Sequence, residues 1–173
     1  VRDSDVDASL YWLARMLEAG EDPLFVARRL VRASTEDVGL ADPNALRLAM
    51  AARDAVHFLG MPEGALALAE ATVYLALAPK SNALYTAYGE AARDVAETPN
   101  APPPAAILNA PTRLMNDVGY GKGYVYAHDT AEGTAGLSCL PDVLAGRRYY
   151  RPEGTGREAE AERRLDELRE LRE

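Results

Sequence analysis

Cysteine is almost absent from this sequence of 173 residues, in which Cys139 is the only one. A single cysteine excludes a disulfide framework and a zinc site built from several thiolates. Because free cysteine usually behaves as a small apolar residue, we expect Cys139 to be buried. Apolar runs long enough to span a membrane are missing too, and the first residues show no signal-peptide pattern. These absences predict a cytoplasmic location without a membrane partner.

An excess of basic charge is also lacking, since the net charge is -8. This charge argues against the whole chain acting as a basic nucleic-acid-binding module and leaves only local patches for that role. Arg28, Arg29 and Arg32 lie within about one helical turn, and Glu36 and Asp37 follow one turn later. The arginines form either a solvated salt-bridged face or a contact to a neighbouring subunit or to DNA phosphate.

A second group of cations lies in the run 147–151, which reads RRYYR. Cations mixed with aromatic rings are typical of proteins that bind single-stranded nucleic acid. Arg147 and Arg148 are therefore further candidates for subunit or DNA contacts.

Histidine occurs only twice. His57 lies beside Phe58 on a predicted helix, where a packed or surface imidazole is more common than a metal ligand. His128 and Asp129 could form a general base with its orienting carboxylate, but no nucleophile accompanies them. The residues therefore predict no catalytic, cofactor or metal site, and ligand binding by Lys122, His128 and Asp129 is kept as an alternative.

Helix signals fill the first hundred residues. Ser4 or Asp5 caps a first helix that ends at Gly20, and the pairs Asp22-Pro23 and Asp42-Pro43 each start another. The helix that starts at Asp22-Pro23 ends near Gly39, and the helix that starts at Asp42-Pro43 ends near Gly60. A fourth, markedly apolar helix runs over 65–78 after Pro62 and stops at Pro79. Ser81 caps a fifth, whose Leu84, Tyr88 and Val95 share one face. Residues 1–98 therefore predict an all-α, antiparallel helical bundle.

The composition changes after residue 98. Four prolines in 98–104 predict a crossing segment, 111–118 predicts a short helix, and glycine and tyrosine then dominate as far as Tyr150. We interpret 99–152 as ordered but irregular, with room for a short strand pair, packed on the bundle. Residues 153–173 are charged, with leucines at 165, 168 and 171, and predict a solvated terminal helix.

The stretch GYGKGYVYAHD at 119–129 could cradle a phosphate or act as a structural clasp. A nucleotide-binding P-loop requires Ser or Thr after its lysine, whereas Gly123 follows Lys122 here. We therefore favour the clasp, in which Gly119, Gly121 and Gly123 turn the chain and the rings of Tyr120, Tyr124 and Tyr126 are buried against the helices.

Several long blocks, in order, resemble one family. They lie at 3–43 (DSDVDASLYWLARM and onward), 78–88 (APKSNALYTAY), 109–129 (NAPTRLMNDVGYGKGYVYAHD) and 146–152 (GRRYYRP). They resemble the carboxy-terminal part of the replication-associated recombination protein A family (RarA, also called MgsA), which is related to the Werner-helicase-interacting ATPase. The likeness runs from Val1 to about residue 168.

The resemblance implies a function for the fragment. Members of the family are DNA-dependent AAA+ ATPases related to clamp loaders, and they act at stalled replication forks. Their ATP and magnesium site lies upstream of the part that this chain resembles, so the chain would be a non-enzymatic fragment of a longer protein. The matching region resembles a clamp-loader collar that builds a homotetramer. DNA and replication proteins would be partners of the full-length protein.

Two hypotheses therefore stand. The first is an oligomerisation domain of a clamp-loader-like AAA+ ATPase that works in DNA replication, recombination and repair. The second is a small ligand-binding or enzymatic domain that uses Lys122, His128 and Asp129.

Overall fold

The computed structural model of the protein describes residues 1–130 and 134–171. These residues form α-helices and irregular segments without any β-strand, which confirms the predicted all-α class, and the strand pair does not form among them. The α-helices are α1 Val6–Glu18, α2 Pro23–Ala33, α3 Asn44–Leu59, α4 Ala65–Leu77, α5 Ala83–Glu97, α6 Arg113–Asp117 and α7 Glu158–Glu170. A π-helical turn, Ser34–Val38, and short 3-10 turns at Gly39–Ala41, Ala105–Ile107, Ala127–Asp129 and Asp142–Leu144 complete the secondary structure.

The chain divides into two compact units. Unit 1 comprises Val1–Gly89 and Tyr150–Ala161, and unit 2 comprises Glu90–Tyr149 and Glu162–Glu173. The first boundary falls inside α5, whereas the composition of the sequence changes near residue 98. The division into 1–98, 99–152 and 153–173 stays a prediction about domains.

Helix boundaries follow the local signals in the sequence. The carboxylates of Asp5 and Asp22 accept the backbone N–H groups of Ala8 and Leu24, each at 2.9 Å, and so satisfy donors in the first turns of α1 and α2. Gly60 ends α3 with φ of +75°, and its N–H donates to Val56 O at 2.9 Å. The predicted starts and ends of the first five helices are therefore confirmed to within a few residues.

The core of unit 1 is built around α4, which contacts α1, α2 and α3. Leu68 and Leu75 of α4 are fully buried, and Val26, Leu30 and Val38 belong to the same core. Small residues make close approach possible: alanines 45, 49 and 52 of α3 are all buried. An alanine-rich sequence thus packs its helices tightly around a few large side chains.

The predicted apolar face of α5 is exposed rather than buried. Leu84, Tyr88 and Val95 are all accessible, and the buried face of this helix carries Ala83 and Ala87 instead. Periodicity identifies residues that share a helix face, but the small alanine side chains are the ones that allow close packing here.

Residues 150–161, which we call the C-terminal strap, complete unit 1. The Thr155 hydroxyl donates to Lys80 O at 3.0 Å, and the Arg157 N–H donates to Ala41 O at 2.8 Å. Glu158, in the first turn of α7, has no exposed surface. The prediction of a solvated terminal helix is therefore wrong at its first turn.

Unit 2 is less regular. The proline-rich stretch 98–104 contains no helix, as its prolines indicate, while its role as a crossing segment stays a prediction. The helix α6 lies within 111–118, which confirms the predicted short helix. The expected burial of Cys139 is wrong, because this thiol is exposed in a segment without regular secondary structure.

Candidate interaction surfaces

The arginines of α2 lie on its exposed side, and each has a different environment. The Arg28 guanidinium lies over the ring of Phe25, 5.0 Å from its centre. Arg32 donates from Nε to Glu36 Oε2 at 2.5 Å and lies 5.7 Å from the ring centre of Tyr85. Arg29 borders a groove described below.

Of the two carboxylates that follow this group in the sequence, Glu36 pairs with an α2 arginine, whereas Asp37 pairs with Arg2 instead. The hydrogen bond from Arg32 holds the pKa of Glu36 below its ordinary value. Arg2 pairs with Asp37 at 2.7 Å and with Glu36 at 3.4 Å. Arg32 is thus held within the chain, and Arg28 and Arg29 are the α2 cations best placed to meet another molecule.

Arg147 is engaged in unit 2, in an ion pair that the sequence did not reveal. Its Nε and Nη2 atoms donate to the two carboxylate oxygens of Asp94 at 2.7 and 2.8 Å, and the Tyr149 hydroxyl donates to Asp94 at 2.9 Å. Asp94 is only 3% exposed. This bidentate geometry gives Arg147 a structural role, while a DNA or subunit contact by the exposed Arg148 stays a prediction.

The environment of the Asp94 carboxylate predicts how the stability of the fold changes at acidic pH. The hydrogen bond from Arg147, and then that from Tyr149, holds its pKa below the ordinary value. A carboxyl with a lowered pKa in the folded state stabilises that state above the unfolded pKa of about 3.9. This stabilisation is lost as the pH falls through the lower, folded pKa.

We therefore expect Asp94→Asn to flatten the loss of stability on acidification below about pH 5. Urea denaturation of the parent and the variant at a series of pH values measures how the free energy of unfolding changes with pH. Asp142→Asn, at an exposed position of the same unit, is the matched control and should follow the parent. An unchanged slope in Asp94→Asn would contradict the role of the ion pair.

The segment 119–129 matches the clasp prediction in its glycines but not in its tyrosines. Gly119, Gly121 and Gly123 have φ of +98°, +71° and +82°, and the Gly121 N–H donates to Ala105 O at 2.8 Å. The residues Tyr120, Tyr124 and Tyr126, however, are 36, 56 and 52% exposed. The expected burial of these rings is wrong, because the described residues around them cover only part of each ring.

The residues of the ligand-binding alternative lie on the surface. Lys122, His128 and Asp129 are exposed, and the ring of His128 packs against Tyr126 at 5.0 Å between centres. His57 is a surface residue of α3. No group of three potential metal ligands forms among residues 1–130 and 134–171.

A cluster of exposed apolar side chains surrounds the α3–α4 turn, and the sequence analysis missed it. This α3–α4 patch consists of Phe58, Leu59, Met61 and Leu66, with Phe58 87% and Leu66 79% exposed. Positions 45, 49, 52 and 56 define the buried face of α3, and Phe58 lies about 200° around the helix from Val56. The regular spacing of the small residues at 45, 49, 52 and 56 was the sequence signal from which the exposure of Phe58 could have been predicted.

A groove between α1 and α2 is the other apolar feature of unit 1. This α1–α2 groove has a volume of about 560 Å³. Trp12 and Met16 line one side, and Phe25 and Arg29 line the other. Trp12 is 59% exposed, although large apolar side chains near a core are usually covered. The groove and the α3–α4 patch therefore leave substantial apolar surface open in unit 1.

These observations define a helical protein with open apolar surfaces. No helix in the part of the chain described is long and apolar enough to cross a membrane. A family model described as MgsA AAA+ ATPase C terminal matches residues 3–169. The chain belongs to this family of carboxy-terminal regions, which confirms the resemblance found in the sequence.

Individual relatives agree with this assignment. Replication-associated recombination protein A of Coxiella burnetii is 52% identical over 174 positions, which cover 100% of this chain and 40% of that protein. The protein of the same name from Escherichia coli K12 is 48% identical over 171 positions, which cover 98% of this chain and 38% of that protein. ATPase WRNIP1 of Dictyostelium discoideum is 48% identical over 154 positions, which cover 87% of this chain and 17% of that protein. The chain thus spans two fifths or less of each of these relatives.

Proposed function

We propose that this chain assembles a longer, clamp-loader-like AAA+ ATPase into a homotetramer that acts in DNA replication, recombination and repair. ATP and magnesium would bind in a region of the longer protein outside this chain, and the chain itself would have no enzymatic activity. DNA and replication proteins would be partners of the whole cytoplasmic assembly. The relatives described above, two recombination proteins and an ATPase, support the process and the type of parent protein.

The α3–α4 patch is the observation that carries the assembly proposal. Soluble monomers rarely expose contiguous apolar surface of this kind, and larger patches mark interaction sites. Phe58 and Leu66 make little contact with their own chain, so their exposure costs solvation energy that a neighbouring subunit would recover. Three of the four patch residues lie at the ends of α3 and α4, so association needs little further ordering of their backbone.

We expect Phe58→Ala to weaken self-association while leaving the free energy of unfolding of the monomer within about 0.5 kcal/mol of the parent. The side chain is too exposed to contribute much to the monomer, but an aromatic ring buried at an interface contributes strongly. Sedimentation equilibrium up to roughly tens of micromolar measures the association, and chemical denaturation of dilute protein measures the stability.

Leu114→Ala is the matched control, because Leu114 is also well exposed but lies outside the patch. Equal effects of the two substitutions would contradict the assignment of the patch. A parent chain that remains monomeric throughout this concentration range would reject assembly as the function.

A further inference from the structure

We propose that the subunits join head to tail, with the α3–α4 patch of one copy seated in the α1–α2 groove of the next. This inference rests on the proposed assembly function and names the surfaces that would carry it. The occupant of the groove is a second copy of this chain, and its Glu63 meets the arginines of α2.

The groove is suited to receive apolar side chains. Its volume of about 560 Å³ lies within the range of about 300–1,000 Å³ typical of binding pockets. Trp12, Met16 and Phe25 supply apolar walls that are already in place. Tryptophan and arginine are also the residue types that most often dominate binding energy at interfaces, and Trp12 and Arg29 occur here together.

The patch and the groove have no residue in common. Each copy therefore carries one of each surface, and the two can be engaged at the same time. Contacts between two different surfaces are heterologous and generate a closed ring when the rotation between neighbours closes. A ring of four copies would fill every groove and cover every patch.

Charge determines the orientation of the patch in the groove. Arg29 lines the α2 side of the groove. Arg28 does not line it, but its guanidinium stacks on Phe25, which is part of the same wall. Asp3 and Asp5 border the α1 side. The exposed Glu63 lies between Met61 and Leu66 in the sequence and has no ion-pair partner among the described residues. The attraction between opposite charges places Glu63 toward α2 and away from the aspartates.

Charge reversal with complementation tests this arrangement. Arg29→Glu alone and Glu63→Lys alone should each weaken association by about tenfold or more, because like charges then meet at every interface. Mixing the two variants in equal amounts should restore association, since an alternating ring places opposite charges at every contact. The double variant Arg29→Glu/Glu63→Lys should also assemble. Native mass spectrometry of all four samples gives both the affinity and the number of subunits.

Trp12 provides a second measurement that needs no variant, because it is the only tryptophan. Its fluorescence should become protected from acrylamide quenching when the parent assembles, as expected for a ring that the next subunit covers. Equal quenching in dilute and assembled protein would mean that the groove stays open, and would overturn the proposal.

The remaining outcomes separate this inference from the proposed function. A monomeric parent rejects assembly itself. A parent that assembles while the mixture of variants stays dissociated rejects only the pairing of patch and groove. A restored species that stops at two subunits rejects the head-to-tail ring, because a two-fold dimer already satisfies both charge contacts.

Discussion

Replacement of Glu158 by alanine is expected to lower the free energy of unfolding by about 4 kcal/mol, one of the two largest effects that we expect in this chain. The carboxylate is completely buried in the first turn of α7. It accepts hydrogen bonds from the Ser81 hydroxyl at 2.8 Å, the Tyr150 hydroxyl at 3.0 Å and the Glu153 N–H at 3.0 Å. The variant would leave these donors without their acceptor and open a cavity.

The physical reason is the cost of an unsatisfied buried donor, about 1–3 kcal/mol for each group. Water entering the cavity would recover part of this cost, so the three penalties do not add fully. Burial, and then the hydrogen bond to Glu158, raises the pKa of Tyr150 to about 12. The C-terminal strap should therefore detach from the rest of unit 1 more readily in the variant.

Urea denaturation monitored by circular dichroism measures the overall effect, and limited proteolysis of residues 150–161 measures the local one. Glu160→Ala is the matched control, because Glu160 lies on the same helix but is exposed. We expect it to remain within about 0.5 kcal/mol of the parent. Glu158→Ala with a stability equal to that of the control would show that the carboxylate does not hold the strap.

Gly156→Ala is expected to cost about 3 kcal/mol, because two unfavourable effects combine at this position. Gly156 has φ of +52°, a backbone conformation that side chains with a Cβ rarely adopt. An added Cβ would also overlap the Ala41 carbonyl oxygen and lie 2.6 Å from Pro79 Cγ. Neither neighbour can move away as the end of a flexible side chain could.

Gly20→Ala separates the two effects. Gly20 also has a positive φ, +86°, but nothing lies within 4 Å of an added Cβ. Its substitution should cost only about 1 kcal/mol, from backbone strain alone. Equal losses in the two variants, measured by thermal and urea denaturation, would mean that the close approach of the strap to Ala41 and Pro79 has no energetic consequence.

The helices were predictable because their signals act over a few residues. An aspartate that caps a helix, a proline in the first turn and a glycine after the last turn all act through the nearby backbone. Asp22-Pro23 and Gly60 show this directly, since each lies at the helix boundary predicted for it. The pairing of Arg32 with Glu36, one turn apart on the chain, belongs to the salt-bridged face that the same local information offered as one of two alternatives.

The candidate surfaces were less predictable, because exposure depends on what the rest of the chain covers. The alternation of glycine and tyrosine at 119–129 indicated buried rings, and the structure leaves those rings accessible. The same limit applies to α5, where the face with the large side chains is exposed and the alanine face is buried. Periodicity shows which residues share a face, but it does not show which face meets another helix.

The sequence by itself determined the all-α class, most helix boundaries and the family of this chain, because local backbone chemistry and long ordered blocks of residues suffice for these. Only the tertiary structure decided which polar groups are buried together. Ser81 and Glu158 are 77 residues apart, and Asp94 and Arg147 are 53 apart. No local pattern links such partners, because burial and pairing over these separations arise only when packed helices bring distant segments into contact.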